Sequence, residues 1–284
     1  MTSIASRSRS FTSSSRACCT RPCWHVPGSF GTVEDRPAPF AAPPFRIRAV
    51  NAPQHARNPI HTDEGARAAG YPSALVAGVT TYAYLTHPLA EGWGMPWVGS
   101  GGAEVRFRSP VFADDQLVCT PRVDADGSVA VAATVGDDHS VRAEVVAVLH
   151  GPAASPLRAG QVSEPVLEPV EVQLEGEWGA GYGAAVGDPF DLYTREGVVH
   201  PAVWPALANH VVHSQVARGS WVHVRSAVVH HAAVPVGSFA VVRAVVVRRF
   251  ERSGERAVLD VRVEVDGVTV ASIEHEAIVA LPGT

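Results

Sequence analysis

A short polar segment, Asn58-Pro59-Ile60-His61, carries the residues best suited to acid–base chemistry. His61 can act as a general base near neutral pH, because an unperturbed imidazole has a pKa of about 6.5. Such a base needs a partner that sets its tautomer and orientation, and His55 and Asp63 are candidates nearby in the sequence. The segment therefore predicts a candidate proton-transfer residue at His61.

The other histidines and the cysteines do not predict a metal site, and no cofactor is expected. His210 and His213 lie three residues apart without a carboxylate-rich motif. A zinc pattern at the N-terminus would combine His25 with three cysteines, but reduced thiols in an unstructured tail are the favoured interpretation. These cysteines are Cys18, Cys19 and Cys23.

Two helices are predicted directly after His61. Thr62 is a suitable N-cap for a short helix that Gly70 ends, with acidic residues in its first turn. Gly78 begins a longer helix with an uncharged face, which Pro88 and Gly92 are expected to end. The hydrophobic period then changes from 3.6 to 2, which predicts strands almost to the C-terminus.

The second half repeats this plan, from which two similar domains are predicted. It is expected to lack the short helix and to keep the long one as 201–216. The predicted strands are 45–50, 103–111, 116–123, 128–135, 140–149, 222–230, 239–249, 257–265 and 269–281. The predicted organisation is a disordered extension (1–38), an N-terminal domain (39–150), a linker (151–168) and a C-terminal domain (169–284).

Composition excludes some classes of partner. The formal net charge of the 284 residues is −5, and no long basic run is present, which argues against nucleic acid and anionic membranes. No apolar run reaches the roughly 18 residues that span a bilayer. A cytoplasmic location is predicted.

The layout, with Asn58-Pro59-Ile60-His61 before the helices, resembles the MaoC-like (R)-specific enoyl-CoA hydratase family over roughly residues 40–284. The resemblance implies an α+β double hot dog, in which two antiparallel sheets each wrap one long helix and join as a pseudo-dimer. In that family, an Asp and a His activate the water that adds to the double bond of an α,β-unsaturated thioester.

The family pattern, Gly-Asp-x-Asn-Pro-(Leu/Ile)-His, is divided between the halves. Asn58 and His61 match in the first half, where Ala56 stands at the Asp position. Asp188 matches the Asp in the second half, where Tyr193 stands at the His position. The resemblance implies catalytic roles for His61 and Asn58, and for Asp188 only if the fold brings the two sites together.

The resemblance also implies the substrate-binding groups. A backbone N–H at the start of the long helix polarises the thioester carbonyl in the family, which assigns this role to Gly78 and Val79. Tyr82, one turn into the helix, and Arg57 are further candidates.

Three functions remain open from the sequence. The first is a hydratase or dehydratase that acts on an acyl thioester of coenzyme A or acyl carrier protein. The second is a thioesterase, which would need a carboxylate near Gly78. The third is a non-catalytic thioester-binding protein, in which the loss of the Asp at Ala56 does no harm. A double hot dog is already a pseudo-dimer, so a monomer is possible, and a homodimer stays open because further pairing is common in this fold.

Overall fold

The computed structural model describes residues 40–136, 140–160 and 164–281. The predicted N-terminal extension, with its cysteines, lies outside the described residues and stays a prediction. The chain from Phe40 onward forms one compact unit. None of the described helices is long and apolar enough to cross a membrane.

Alternating apolar sequences form the strands of one antiparallel sheet. In the described residues these are β1 (Phe45–Arg48), β2 (Gly102–Phe107), β3 (Gln116–Val123), β4 (Val129–Val135), β5 (Ser140–Val148), β6 (Val170–Gln173), β7 (Val222–His230), β8 (Phe239–Glu251), β9 (Glu255–Val265) and β10 (Val268–Ala280). Their order across the sheet is β1-β3-β4-β5-β2-β7-β10-β9-β8-β6.

The two halves of the chain have the same strand order, which confirms the predicted double hot dog. Each half places its first strand at the outer edge and the strand after its long helix at the centre. The halves join where β2 pairs with β7, from Gly102 opposite Val229 to Arg106 opposite Arg225. This pairing makes one continuous sheet and leaves no exposed edge at the centre. The exact limits of the two predicted domains stay a prediction.

The helices of the described chain follow the predicted plan with two corrections. They are α1 (Asp63–Ala68), α2 (Gly78–Trp93), α3 (Met95–Ser100), α4 (Tyr182–Ala185), α5 (Leu192–Glu196) and α6 (Val203–Val211). The long helix of the second half continues from α6 as a π-helical turn over Val212–Val216. The prediction that this half lacks a short helix was wrong, because α5 forms over the segment that echoes α1.

The other correction concerns the end of α2. Pro88 was predicted to help end the helix, but α2 continues through it to Trp93. A proline removes only one helical N–H donor, and the buried surroundings of α2 favour continuation. The chain leaves the helix at Gly94, whose positive φ of 61° suits glycine and whose N–H donates to Ala90 O. Gly92 lies inside the helix.

The long helix α2 lies against the first half of the sheet with its apolar residues inward. Its fully buried members include Val79, Tyr82 and Leu85. The helix carries no charged residue before Glu91, so it can be enclosed without burying an unpaired charge. Its N-terminus at Gly78 remains partly accessible.

Candidate active site

The turn that carries His61 is held by Asn58. Pro59–His61 forms one 3-10 turn, and the Asn58 side chain caps it by accepting a hydrogen bond from the Ile60 N–H. The buried Asn58 also donates from Nδ2 to Trp221 O in the second half, at 2.9 Å. Asn58 therefore positions His61 relative to the second half, and its amide is occupied by backbone groups.

A backbone carbonyl sets the tautomer of His61. Nδ1 lies 2.7 Å from the Leu75 carbonyl oxygen, which accepts a hydrogen bond only if Nδ1 is protonated. The lone pair of the neutral ring is therefore on Nε2. Burial lowers the pKa of His61 below its ordinary value, and the Leu75 hydrogen bond opposes this only in part. His61 is accordingly a neutral base at pH 7.

The two predicted substitutes for the missing carboxylate do not fill that role. Asp63 is exposed and accepts hydrogen bonds from the Ala74 N–H and from Arg67. The His55 ring centroid lies 6.0 Å from that of His61, and burial together with the neighbouring His61 lowers the pKa of His55 to about 4. In the part of the chain that the structure describes, no carboxylate forms a hydrogen bond or ion pair with His61.

His61 stands in the shared wall of two adjoining cavities. The first has a volume of about 200 Å³ and reaches Gly78 at the start of α2. The second, about 750 Å³, extends past Ala56 and Arg57. Both cavities are lined by Asn58, His61, Asn209 and Trp221.

The predicted substrate-binding residues divide between these cavities and the core. Gly78 lines the first cavity and Arg57 lines the second. Val79 and Tyr82 are fully buried and line neither cavity. Burial raises the pKa of the Tyr82 hydroxyl far above its ordinary value, so this group stays protonated.

The structure does not bring Asp188 to His61. The Asp188 carboxylate oxygens lie 2.9 and 3.1 Å from Nδ1 of His87 on α2. The Phe190 N–H also donates to Asp188, and the ring of Phe45 stacks on His87. Neither Asp188 nor His87 lines the two cavities, and the hydrogen bond between them connects the second half to α2.

Three polar residues of the second half line the same cavity as His61, and sequence reasoning did not assign them to the site. Asn209, Trp221 and His223 line the first cavity. Each has a buried polar atom without a hydrogen-bond partner in the described structure: Asn209 Oδ1, Trp221 Nε1 and His223 Nδ1. The available signal was a histidine within the otherwise apolar start of β7.

The fold and this site define a double hot-dog protein with a histidine at the cavity between its halves. Residues 53–143 match the MaoC-like domain family, which confirms the resemblance noted in the sequence. No curated protein sequence matches the chain.

Solved structures support the same fold. A protein named as a MaoC domain dehydratase from Chloroflexus aurantiacus has 12% sequence identity and a TM-score of 0.58, covering 85% of this chain and 96% of its own. A second structure, named MaoC-like dehydratase, has 12% identity and a TM-score of 0.53, with 85% and 98% covered. A dehydratase domain of a polyketide synthase from Brevibacillus brevis has 12% identity and a TM-score of 0.51, with 84% and 93% covered.

Proposed function

We propose that the chain is a hydratase or dehydratase that acts on an α,β-unsaturated or 3-hydroxyacyl thioester. The observation that carries this proposal is the 2.7 Å contact of His61 Nδ1 with Leu75 O, which leaves Nε2 as the basic nitrogen beside a cavity. The MaoC-like match over residues 53–143 supports the reaction class.

His61 can carry out both proton transfers of the reaction. In dehydration, Nε2 takes a proton from the α-carbon, and the electrons of that C–H bond form the C=C bond. The bond from the β-carbon to its hydroxyl breaks, and the imidazolium returns the proton to the leaving hydroxyl, which departs as water. One imidazole serves both steps when the α-hydrogen and the hydroxyl lie on one face of the substrate, and hydration is the reverse.

The start of α2 supplies the electrophilic part of the proposal. The first N–H groups of a helix have no acceptor within the helix and point outward from its N-terminus. The Gly78 N–H can therefore donate to the thioester carbonyl oxygen as negative charge develops there. Such a donor contributes roughly 3–4 kcal/mol to the stability of the transition state. Val79 is a second amide at this helix start, whereas Tyr82 lies in the core.

The carrier is proposed to occupy the larger cavity. Arg57 is an exposed cation that lines it, which suits the phosphate groups of coenzyme A or of a carrier-protein arm. Catalysis by a thioesterase carboxylate is not supported, since no described residue that lines the first cavity is acidic. Glu177 lines only the second.

Replacing His61 tests the proposal. We expect the chain to hydrate crotonyl-CoA, and His61→Gln to lower kcat about a hundred- to ten-thousandfold because the base is lost. Loss of the enoyl absorbance measures hydration. A thiol reagent measures any release of free thiol. His231→Gln is the control, since His231 lines neither cavity.

Three other results of these assays would contradict the proposal. Release of thiol without hydration would make the chain a thioesterase. Binding of crotonyl-CoA without either reaction would make it a thioester-binding protein. Equal hydration by wild type and His61→Gln would remove His61 from the mechanism.

A further inference from the structure

A chain of three polar side chains leads from the first cavity into the core of the second half. His223 on β7 is buried and lines the cavity. Its Nε2 lies 2.8 Å from Ser226 Oγ, and the same oxygen lies 2.9 Å from Nδ1 of His275 on β10. Ser226 and His275 are fully buried, so no water competes for these hydrogen bonds.

The other ring nitrogen of His223 is turned to the start of α2. A Cβ added to Gly78 would lie 3.2 Å from Nδ1 of His223 and 3.2 Å from the ring of Phe107. Phe107 packs beside the imidazole with a centroid separation of 4.6 Å, which restricts its rotation. Nδ1 has no hydrogen-bond partner in the described structure, although the residue is only 6% exposed.

A buried polar nitrogen without a partner is costly, so this arrangement favours a ligand that supplies an oxygen at that point. Glycine at position 78 keeps the helix N-terminus open beside His223. The Gly78 amide and His223 Nδ1 thus border the same part of the first cavity. Two donors beside the same part of a cavity can stabilise an oxyanion that forms there.

We propose that His223 is a second catalytic residue, which donates a hydrogen bond from Nδ1 to the thioester carbonyl oxygen beside the Gly78 amide. This proposal rests on the proposed function. Ser226 and His275 are positioning residues that set the tautomer of His223.

The hydrogen atoms of the three groups can be placed consistently. The Ser226 hydroxyl has one proton, so it can donate to only one of the two rings. When it donates to His223 Nε2, Nδ1 carries the hydrogen that faces the cavity. His275 Nδ1–H then donates to Ser226 Oγ. Burial, with a further contribution from His275, lowers the pKa of His223, so the donor is a neutral imidazole. A neutral histidine near a helix N-terminus can polarise a carbonyl in this way.

The first measurement is independent of turnover. Butyryl-CoA has no double bond to hydrate, so it cannot undergo the proposed reaction, and a 13C label at its carbonyl identifies the C=O stretching band by infrared spectroscopy. We expect binding to lower the band frequency in the wild type. His223→Leu should raise it toward the value in water-free solvent, and His223→Asn should retain more of the shift because an amide N–H can replace Nδ1–H.

The second measurement is the rate of crotonyl-CoA hydration. We expect His223→Leu to lower kcat about a hundred- to a thousandfold with little change in KM, because the donor acts mainly on the developing charge. Ser226→Ala should lower kcat less, with a smaller frequency shift in the bound carbonyl. His231→Leu is the matched control: His231 bonds Ser272 Oγ at 2.8 Å but lines neither cavity.

The two measurements separate this proposal from the proposed function. If the carbonyl band shifts in a way that depends on His223 but the wild type does not hydrate crotonyl-CoA, the role of His223 as a donor is supported and the hydratase function is overturned. Hydration that depends on His61, with an unchanged rate and band in folded His223→Leu, would overturn His223 alone. No band shift in the wild type on binding would also overturn it.

Discussion

At the scale of single residues, Asn58 connects the turn of the candidate base to the other half of the chain. Its Nδ2 donates to Trp221 O at 2.9 Å, and Trp221 itself lines both cavities. His61 follows three residues later and obtains its own orientation from Leu75 O. The position of the base thus depends on hydrogen bonds to backbone groups, and a carboxylate is not needed to hold the ring.

Asn58→Ala should destabilise the protein and reduce turnover. The variant leaves the buried Trp221 carbonyl without its donor, which costs about 1–3 kcal/mol of unfolding free energy. Urea denaturation at pH 7.5 measures this loss, and crotonyl-CoA hydration by the folded variant measures the displacement of His61. Asn58→Asp keeps an acceptor for the Ile60 N–H but cannot donate to Trp221. A wild-type urea midpoint in Asn58→Ala would show that the Trp221 contact does not contribute.

At the scale of elements, α1 rests directly on the turn that ends in His61. Thr62 caps α1 by accepting a hydrogen bond from the Gly65 N–H, and its own hydroxyl donates to Pro59 O. Gly65 lies so close to this turn that an added Cβ would be 2.1 Å from Pro59 O. The glycine is therefore required by a close approach of two backbone segments.

Gly65→Ala should separate α1 from the turn and impair both folding and activity. The clash involves backbone atoms that cannot rotate away, so we expect a loss of about 1–3 kcal/mol or more in unfolding free energy. Gly99→Ala in α3 is the control, because its added Cβ would meet Ala233 at an ordinary 3.6 Å. Thermal unfolding and hydration rates of the two variants test the difference. Equal stability in both would contradict the close packing of α1 on the turn.

At the scale of the whole molecule, several histidines are enclosed in the core in their neutral form. Burial lowers the pKa of His200 and of His275 to about 3, and that of His230 to about 4. The unfolded chain binds protons at these residues below about pH 6.5, whereas the folded chain does not. Their contribution to stability is therefore complete above pH 6.5 and is lost as the pH falls toward 4.

The free energy of unfolding should decrease steeply between pH 6.5 and pH 4. Each buried histidine contributes a slope of about 1.4 kcal/mol per pH unit over this range. Urea denaturation at half-unit steps measures the slope in the wild type. His230→Gln removes one of these groups and should make the slope shallower by about that amount, whatever its effect on stability at pH 8. An unchanged slope in this variant would show that His230 titrates alike in the folded and unfolded chains.

Local features of the sequence were sufficient for much of the fold. They correctly predicted Thr62 as an N-cap, Gly78 as the start of α2 and the exact limits of β3 and β7. These features depend only on neighbouring residues and on the hydrophobic period. The repeat of strand, helix and strands predicted two similar domains, and the resemblance to the MaoC-like family implied the double hot dog. The end of α2 was not predictable from Pro88, since tertiary packing overrides a single unfavourable residue.

The sequence by itself determined that Asn58 and His61 share one turn and that Ala56 replaces the family carboxylate. Only the tertiary structure decided their partners: Leu75 O for His61, 14 residues away, and Trp221 O for Asn58, 163 residues away. Both partners are backbone carbonyls, which every residue type possesses. A sequence pattern therefore cannot indicate them, because their role depends entirely on where the fold places the chain.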